Sequence, residues 1–502
     1  LKNHTQRMST EVAMMQNLGS NPRHTFESLL DEAKIKLKAD PQNGMKHGEI
    51  DKQAHRAVSM YNTLDANTRA IDSTLGNVMG GLRALMVASK LGGTTLTTFG
   101  DHASMKKVAN MLGLSYTKSI LPEYMKQLKQ GATRDEALRF GLGISEMAGS
   151  MARFGDADIV SSATKSGRFN ARMNTFASTT MKLSGLNAVT AGAKRAFNLV
   201  HMNKLAELTQ KTNWKDLGAD DLKILQGNGI TELDWQLWQK LEPSKREDGT
   251  AVLTQNDFFN APDDVIKQFL PLDKQDSANT LADFRYKSAM KYQTHLFNEE
   301  SVAIIEAGVR ERSIINLGEA GTIQGELGRT LFQFKGFPLA YMFRIGHRAF
   351  AQGDIKSRVT FLASLLAYQT LAGALIVQTQ NLANGKNPEP VFTVDFFGKS
   401  ILKGGGLSFL GDIMSSLSDP TGRSASDFIS GPLIGQSMKL GMLLTGMGNN
   451  IIEGKESTRM MEVANALKSN IPLQNLWYSK LIVDRMLYSK MQNMIDPDYL
   501  PR

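Results

Sequence analysis

The chain contains no cysteine. That excludes a disulfide framework and any thiolate-held zinc or iron–sulfur site, and it suits synthesis in a reducing compartment. Aromatic residues are sparse, at 7%, while 26 methionines accompany abundant Ala, Leu, Lys and Gln. Such side chains lose little rotamer freedom in a helix, so helix is expected over sheet. Leu1 to Gly19 holds no apolar segment behind a basic start and does not read as a signal peptide. With Leu rather than Met at position 1, the chain is expected to be a trimmed piece of a longer one.

Catalytic signatures are missing too. The eight histidines are scattered and none forms an HExxH pair. Gly404-Gly405-Gly406 follows Lys403 without the order of a phosphate-binding loop. Asp156 and Asp158 (GDAD) lack EF-hand spacing and its bidentate glutamate, and read as a capped turn. Glu27-Ser28 has the dipeptide of lytic transglycosylases, but LLDEAKIKLK lacks their glycine-rich continuation and reads as a helix start. No catalytic residue, no metal site and no cofactor is expected.

What is present is helical punctuation. At 502 residues and 41% hydrophobic content there is room for about two to four units with real cores. Phe26, Leu29, Leu30, Ala33 and Leu37 share a face behind Thr25, and Asp40-Pro41 stops that helix. A second pattern runs from Glu49 to Ala88, before Gly92-Gly93 and Thr94 to Thr98 interrupt it. Thr133 with Glu136 reads as a capping box, as does Thr231 with Asp234, where Ile230 can staple onto Trp235. Phe332, Phe334, Phe337, Tyr341 and Phe343 crowd a bend at Gly336 and Pro338, either a corner between helices or an interfacial belt. Val391 to Phe397 is the best strand candidate. The expected fold is all-α: an elongated multi-helix bundle with a small inserted helical module and glycine-rich C-terminal helices. Its divisions are an N-terminal helical region (1–112), a basic helical region (113–213), the inserted module (214–272), a long-helix region (273–350) and an apolar C-terminal region (351–502).

The net charge of +9 is unevenly placed. Lys165, Arg168, Arg172, Lys182, Lys194, Arg195, Lys204 and Lys211 face a single acid, Glu207, within 47 residues. A block of one sign usually marks an interaction surface, and this one suits phosphates of nucleic acid or anionic lipid. The candidate DNA- or anion-binding residues are Lys165, Arg168, Arg172, Lys182, Lys194, Arg195 and Lys204. Reversing Lys194, Arg195 and Lys204 is expected to weaken DNA binding and flatten its salt dependence.

Behind Arg344, His347, Arg348, Lys356 and Arg358 comes an uncharged run, Val359 to Val377 (VTFLASLLAYQTLAGALIV). As a helix it spans roughly 28 Å, close to the roughly 30 Å hydrocarbon core of a bilayer. Val359, Leu362, Leu366, Leu371, Leu375 and Val377 mark this membrane or bundle segment. Thr360, Ser364 and Tyr368 form a polar stripe at i, i+4 that suits contact between helices or a wet lumen better than a face bathed in lipid. A buried core helix and a membrane span both fit. Phe428 to Ile452 is a second apolar segment, loosened by Gly435, Gly441, Gly446 and Gly448, and Leu473 to Ile495 reads as an amphipathic C-terminal helix.

Five pieces carry a family resemblance: ASKLGGTTLTTFGDHA (Ala88 to Ala103), LSGLNAVTAGAKRAF (Leu183 to Phe197), GNGITELDW (Gly227 to Trp235), LGRTLFQFKGFPLAYM (Leu327 to Met342) and NIPLQNLWYSKLIVDRMLYSKMQNMIDPDYLPR (Asn470 to Arg502). In that order, from about residue 80 onward, the chain resembles the C-terminal portion of large internal virion, or ejection, proteins of short-tailed, T7-like bacteriophages. The resemblance implies a non-enzymatic subunit of the internal core, packed in the capsid near the portal and later forming a conduit across the host envelope. It implies a ring-like homo-oligomer whose partners are other internal virion proteins, the portal, viral double-stranded DNA and, after ejection, the host membrane. Relatives can carry a peptidoglycan-cleaving domain ahead of this region, and any such activity is expected outside this chain. In a protein that changes compartments, Val359 to Val377 would be buried in the virion and face lipid afterwards. A membrane-perturbing effector, and an enzyme whose catalytic domain lies elsewhere, are the other classes.

Overall fold

A computed structural model describes residues 2–40, 44–64, 73–129, 131–142, 164–275, 277–315, 318, 320–333, 335–350, 354–383, 387–404, 476 and 478. Among them the chain is all-α, with nineteen helices. The first is α1 (Lys2–Leu18), then α2 (Pro22–Ala39), α3 (His47–Leu64) and α4 (Ser73–Lys90), followed by a 3₁₀ stretch (Leu91–Thr98), α5 (Phe99–Met111), α6 (Leu121–Lys129) and α7 (Gly131–Arg139). Next come α8 (Lys165–Leu183), α9 (Leu186–Lys211), α10 (Ala219–Gly227) and α11 (Glu232–Lys240). A two-residue hairpin, β1 (Ser244–Lys245) against β2 (Ala251–Val252), precedes the short α12 (Gln255–Phe259) and α13 (Asp263–Lys267). The remainder is α14 (Ala278–Ala303), α15 (Val309–Ile315), α16 (Ile323–Leu331), α17 (Gly336–Phe350), α18 (Ile355–Ala383) and α19 (Val394–Lys403).

Helix α9 is the hub. Its apolar residues are not confined to one face, and fifteen of its 26 residues are buried. It leaves α8 through Gly185, whose φ of +79° only glycine adopts without strain. Two cores meet along it. One joins Leu199, Met202 and Leu205 of α9 to Trp235 and Trp238 of α11, Phe258 of α12 and Tyr292 of α14. Trp238 stands edge-on to Tyr292 with ring centroids 5.1 Å apart, so the tryptophans of residues 214–272 pack into a core shared with the long helices. The other core joins Ala196 and Phe197 to Met105 and Val108 of α5, Ile304, Ile345 of α17, and Phe361 and Leu365 of α18.

The capping box at Thr231 is present, with the Asp234 carboxylate accepting from the Thr231 amide at 2.7 Å. Three local expectations change. Helix α7 begins at Gly131, ahead of Thr133, and Glu136 is buried against Arg246 instead of capping. Val391 to Phe397 is not a strand: Thr393 accepts from the Phe396 amide at 3.2 Å and starts α19. The long helical run expected from Thr280 to about Ile315 is broken between α14 and α15. Phe428 to Ile452, Asp156 and Asp158 lie outside the described residues, and so does Leu473 to Ile495 apart from Leu476 and Tyr478.

Candidate functional site

Two surfaces concern function, and the first is α8. It contains Lys165, Arg168, Arg172 and Lys182 and no acid at all. At 100° per residue these four fall within roughly 100° of arc, and all are exposed. The exposed Phe176 and Leu183 share that stripe. Thr164 caps the helix, accepting from the Gly167 amide at 3.0 Å. The opposite face is pressed onto α4 so closely that a Cβ on Gly81 would overlap the Phe169 ring. That contact turns the basic stripe to solvent.

The rest of the basic block is not on this surface. Lys194 and Arg195 are each 4% exposed. The Lys194 ammonium bridges Glu300 at 3.2 Å and Glu306 at 2.7 Å, and Arg195 donates to Gln127 at 2.9 Å. Lys204 pairs with Asp221 at 2.6 Å and donates to the Leu112 carbonyl. Lys194 and Arg195 are interior and Lys204 is half-buried, all three held by carboxylates, an amide or a carbonyl, so the anion-binding role expected of them is corrected to a structural one. The candidate interface shrinks to Lys165, Arg168, Arg172 and Lys182.

The second surface is the arm formed by α18 and α19. Helix α18 is long and apolar enough to cross a membrane, yet only 33% of its most apolar stretch is buried. Phe361, Leu365, Gln369, Ala372, Gly373, Ile376 and Val377 face inward. Ile355, Val359, Leu362 and Leu366 form an exposed stripe on the first half, and Leu371, Leu375 and Leu382 another on the second. Val377, grouped with these in the sequence, lies on the buried side at 6% exposure. Next to them Phe392, Val394 and Phe397 of the α19 end are exposed as well.

Inside the arm the two helices touch backbone to backbone. A Cβ on Gly373 would overlap the Ser400 carbonyl oxygen, and one on Gly404 the Gln369 carbonyl oxygen. Glu389 clasps the turn: Gln378 donates to its carbonyl at 2.6 Å, Asn381 to its carboxylate at 3.1 Å, and Lys399 pairs with it at 3.0 Å.

The arm is docked on the body by polar contacts. Lys107 of α5 donates to Ser364 at 2.6 Å and lies 4.6 Å from the centre of the Phe361 ring, while Lys106 sits 4.2 Å above Tyr368. Two of the three stripe residues therefore make the contact between helices that their spacing suggested. Burial pulls the Lys107 ammonium below its usual range. Preceding α18 in the chain, α17 is tied down by Arg344, which donates to the Ser301 carbonyl at 2.9 Å, and by Arg348 on Glu299.

Among the described residues no group of three or more His, Asp or Glu side chains could hold a metal ion. Glu123 and Glu136 are brought together as a carboxylate pair, but Arg246 bridges them at 3.0 and 2.9 Å. Burial works against the Arg246 charge, and the hydrogen bonds it donates to Glu136 and Glu123 outweigh it, holding the guanidinium protonated. Such a neutralised cluster fixes helices rather than transferring protons. No family model matches the chain, and no curated protein or solved structure matches it either.

Proposed function

We propose that this chain is a non-enzymatic structural subunit of a phage internal core, an ejection protein that forms a ring-like homo-oligomer with other internal virion proteins near the portal and later helps build a channel through the host envelope. The observation that carries the reading is the arm: an apolar helix of membrane-spanning length that exposes two leucine-rich stripes and meets two lysines of α5 on its inner side. Exposed apolar area of this kind marks a surface awaiting another phase or partner. The exposed basic stripe on α8, a helix with no acid in its own sequence, supports the second half of the reading, contact with viral double-stranded DNA, since clustered exposed cations attract phosphates.

The test is flotation of the purified chain with zwitterionic and anionic vesicles, together with DNA binding over a salt series and electron microscopy. Vesicle binding that is lost in L371E/L375E supports the arm, and a salt slope flattened in K165E/R168E/R172E supports the stripe. A monomer indifferent to vesicles and DNA overturns the proposal. Vesicle leakage by monomers with no DNA affinity would favour a membrane-perturbing effector in its place.

A further inference from the structure

Helices α9 and α14 bury two histidines against each other. His201 and His295 are each 1% exposed, with ring centroids 5.2 Å apart. Phe197 and Trp238 wall them in, at 6.1 Å from His201 and 6.2 Å from His295. Nδ1 of His201, both ring nitrogens of His295 and Oε2 of Glu299 have no hydrogen-bond partner. The other Glu299 oxygen is crowded: Asn228 donates to it at 2.8 Å, and so does Arg348, reaching across from α17. A carboxylate with one bare oxygen thus lies one turn from a bare imidazole, and its working partner is the arginine that docks the segment leading to the arm. This local arrangement is undersatisfied in a buried place, where each missing hydrogen bond is expensive.

We propose that the His201–His295 pair is an acid-operated release for α17: protonated His295 donates to the bare oxygen of Glu299, displaces Arg348, and undocks α17 together with the α18–α19 arm. His295 and Glu299 are four residues apart on one helix, the spacing at which side chains meet. After protonation two or three cations face one carboxylate. Arg348 is the member that can leave, because it reaches Glu299 from a different helix, whereas His295 and Glu299 are both fixed on α14. The release is a property of the seam and holds whatever α18 meets afterwards.

The charged groups around the pair fix the direction of the effect. Burial lowers the His295 pKa to about 4, with Glu299 pulling it up and Arg348 pushing it down. Burial lowers His201 further below its ordinary value, helped by His295, Lys204 and Arg348. A solvated imidazole titrates near pH 6.5. The docked state therefore binds fewer protons than the released one between these limits. Docking is at full strength above about pH 6.5 and weakens as the pH falls toward 4.

A chain without cysteine is ready for paired spin labels. T294C/H347C places them on exposed positions of α14 and α17, and the distance between them is followed from pH 7.5 to 4. A longer distance should grow in with a midpoint between these limits, the released-to-docked ratio rising by up to about tenfold per pH unit for each proton taken up. H295M and H201F, both untitratable, should each move that midpoint down by about one unit or more. An unchanged distance down to pH 4, or an unchanged midpoint in a folded variant, overturns the proposal. If neither variant folds, titration of the histidine ring signals in the parent decides. Rings that protonate while the distance stays short, or a distance that lengthens while both rings stay neutral, overturn it equally.

Discussion

Helices α9 and α18 are both long, neither has a strongly one-sided pattern, and their composition would place them the wrong way round. Helix α9 carries Lys194, Arg195 and Lys204 and sits at the centre of the molecule; α18 is uncharged from Val359 through its end and presents leucines to the outside. The difference lies in their partners. Lys194 is met by Glu300 and Glu306, Lys204 by Asp221, and Arg195 donates to the Gln127 amide, so these cations have polar partners inside the fold. The apolar side chains of α18 have on their inner face a body that offers lysines as well as hydrocarbon, and among the described residues the outer stripes have no such cover. Burial in this chain follows the supply of complementary groups rather than the polarity of a helix taken alone.

The comparison breaks most visibly at Lys194. K194M leaves Glu300 buried without its cation and is expected to destabilise the fold by about 3–5 kcal/mol in urea unfolding, whereas K165M on the exposed stripe should stay within about 0.5 kcal/mol. If the two cost the same, the inside–outside division of the basic block is wrong. Next in size is G373V, which forces α18 and α19 apart; a loss of about 1–3 kcal/mol is expected, seen as faster amide exchange in α19 and unchanged exchange in α9. K107M removes the bond to Ser364 and the contact with Phe361, and should loosen α18 from α5 by about 1 kcal/mol while leaving the shared core near Trp238 untouched. Smallest is L371E/L375E, within about 0.5 kcal/mol in water because both positions are exposed. A large loss of stability there would mean that these leucines are core after all.

The all-α class was legible because its signals are local: helix-forming composition, the Thr231 capping box, and the breaks at Asp40-Pro41 and around Gly336. The polar stripe was half legible, since Ser364 and Tyr368 do meet another helix while their partners, two lysines of α5, could not be named from spacing. The basic block misled for the same reason in reverse. Glu306 stands 112 residues from Lys194 and Gln127 stands 68 from Arg195, so a local count of charge sees an excess where the folded chain has pairs. Val391 to Phe397 misled through propensity: β-branched and aromatic residues suggested a strand, and Thr393 used its hydroxyl to start a helix instead. The histidine pair had no signature in the sequence, because two rings 94 positions apart are brought together only by the crossing of α9 and α14.

The glycine contact between α18 and α19 has a consequence for how the arm could travel. Helices held by leucines in a seam owe much of their cohesion to water being driven out, and that force vanishes when the surroundings are oil. Gly373 and Gly404 bring main chain against main chain, with fit and dispersion as the glue, and the Glu389 clasp adds hydrogen bonds that strengthen as the dielectric falls. Such a hairpin keeps its shape across an interface. It would cross from an aqueous lodging to a greasy one as a rigid wedge, with nothing to unpack and nothing to refold.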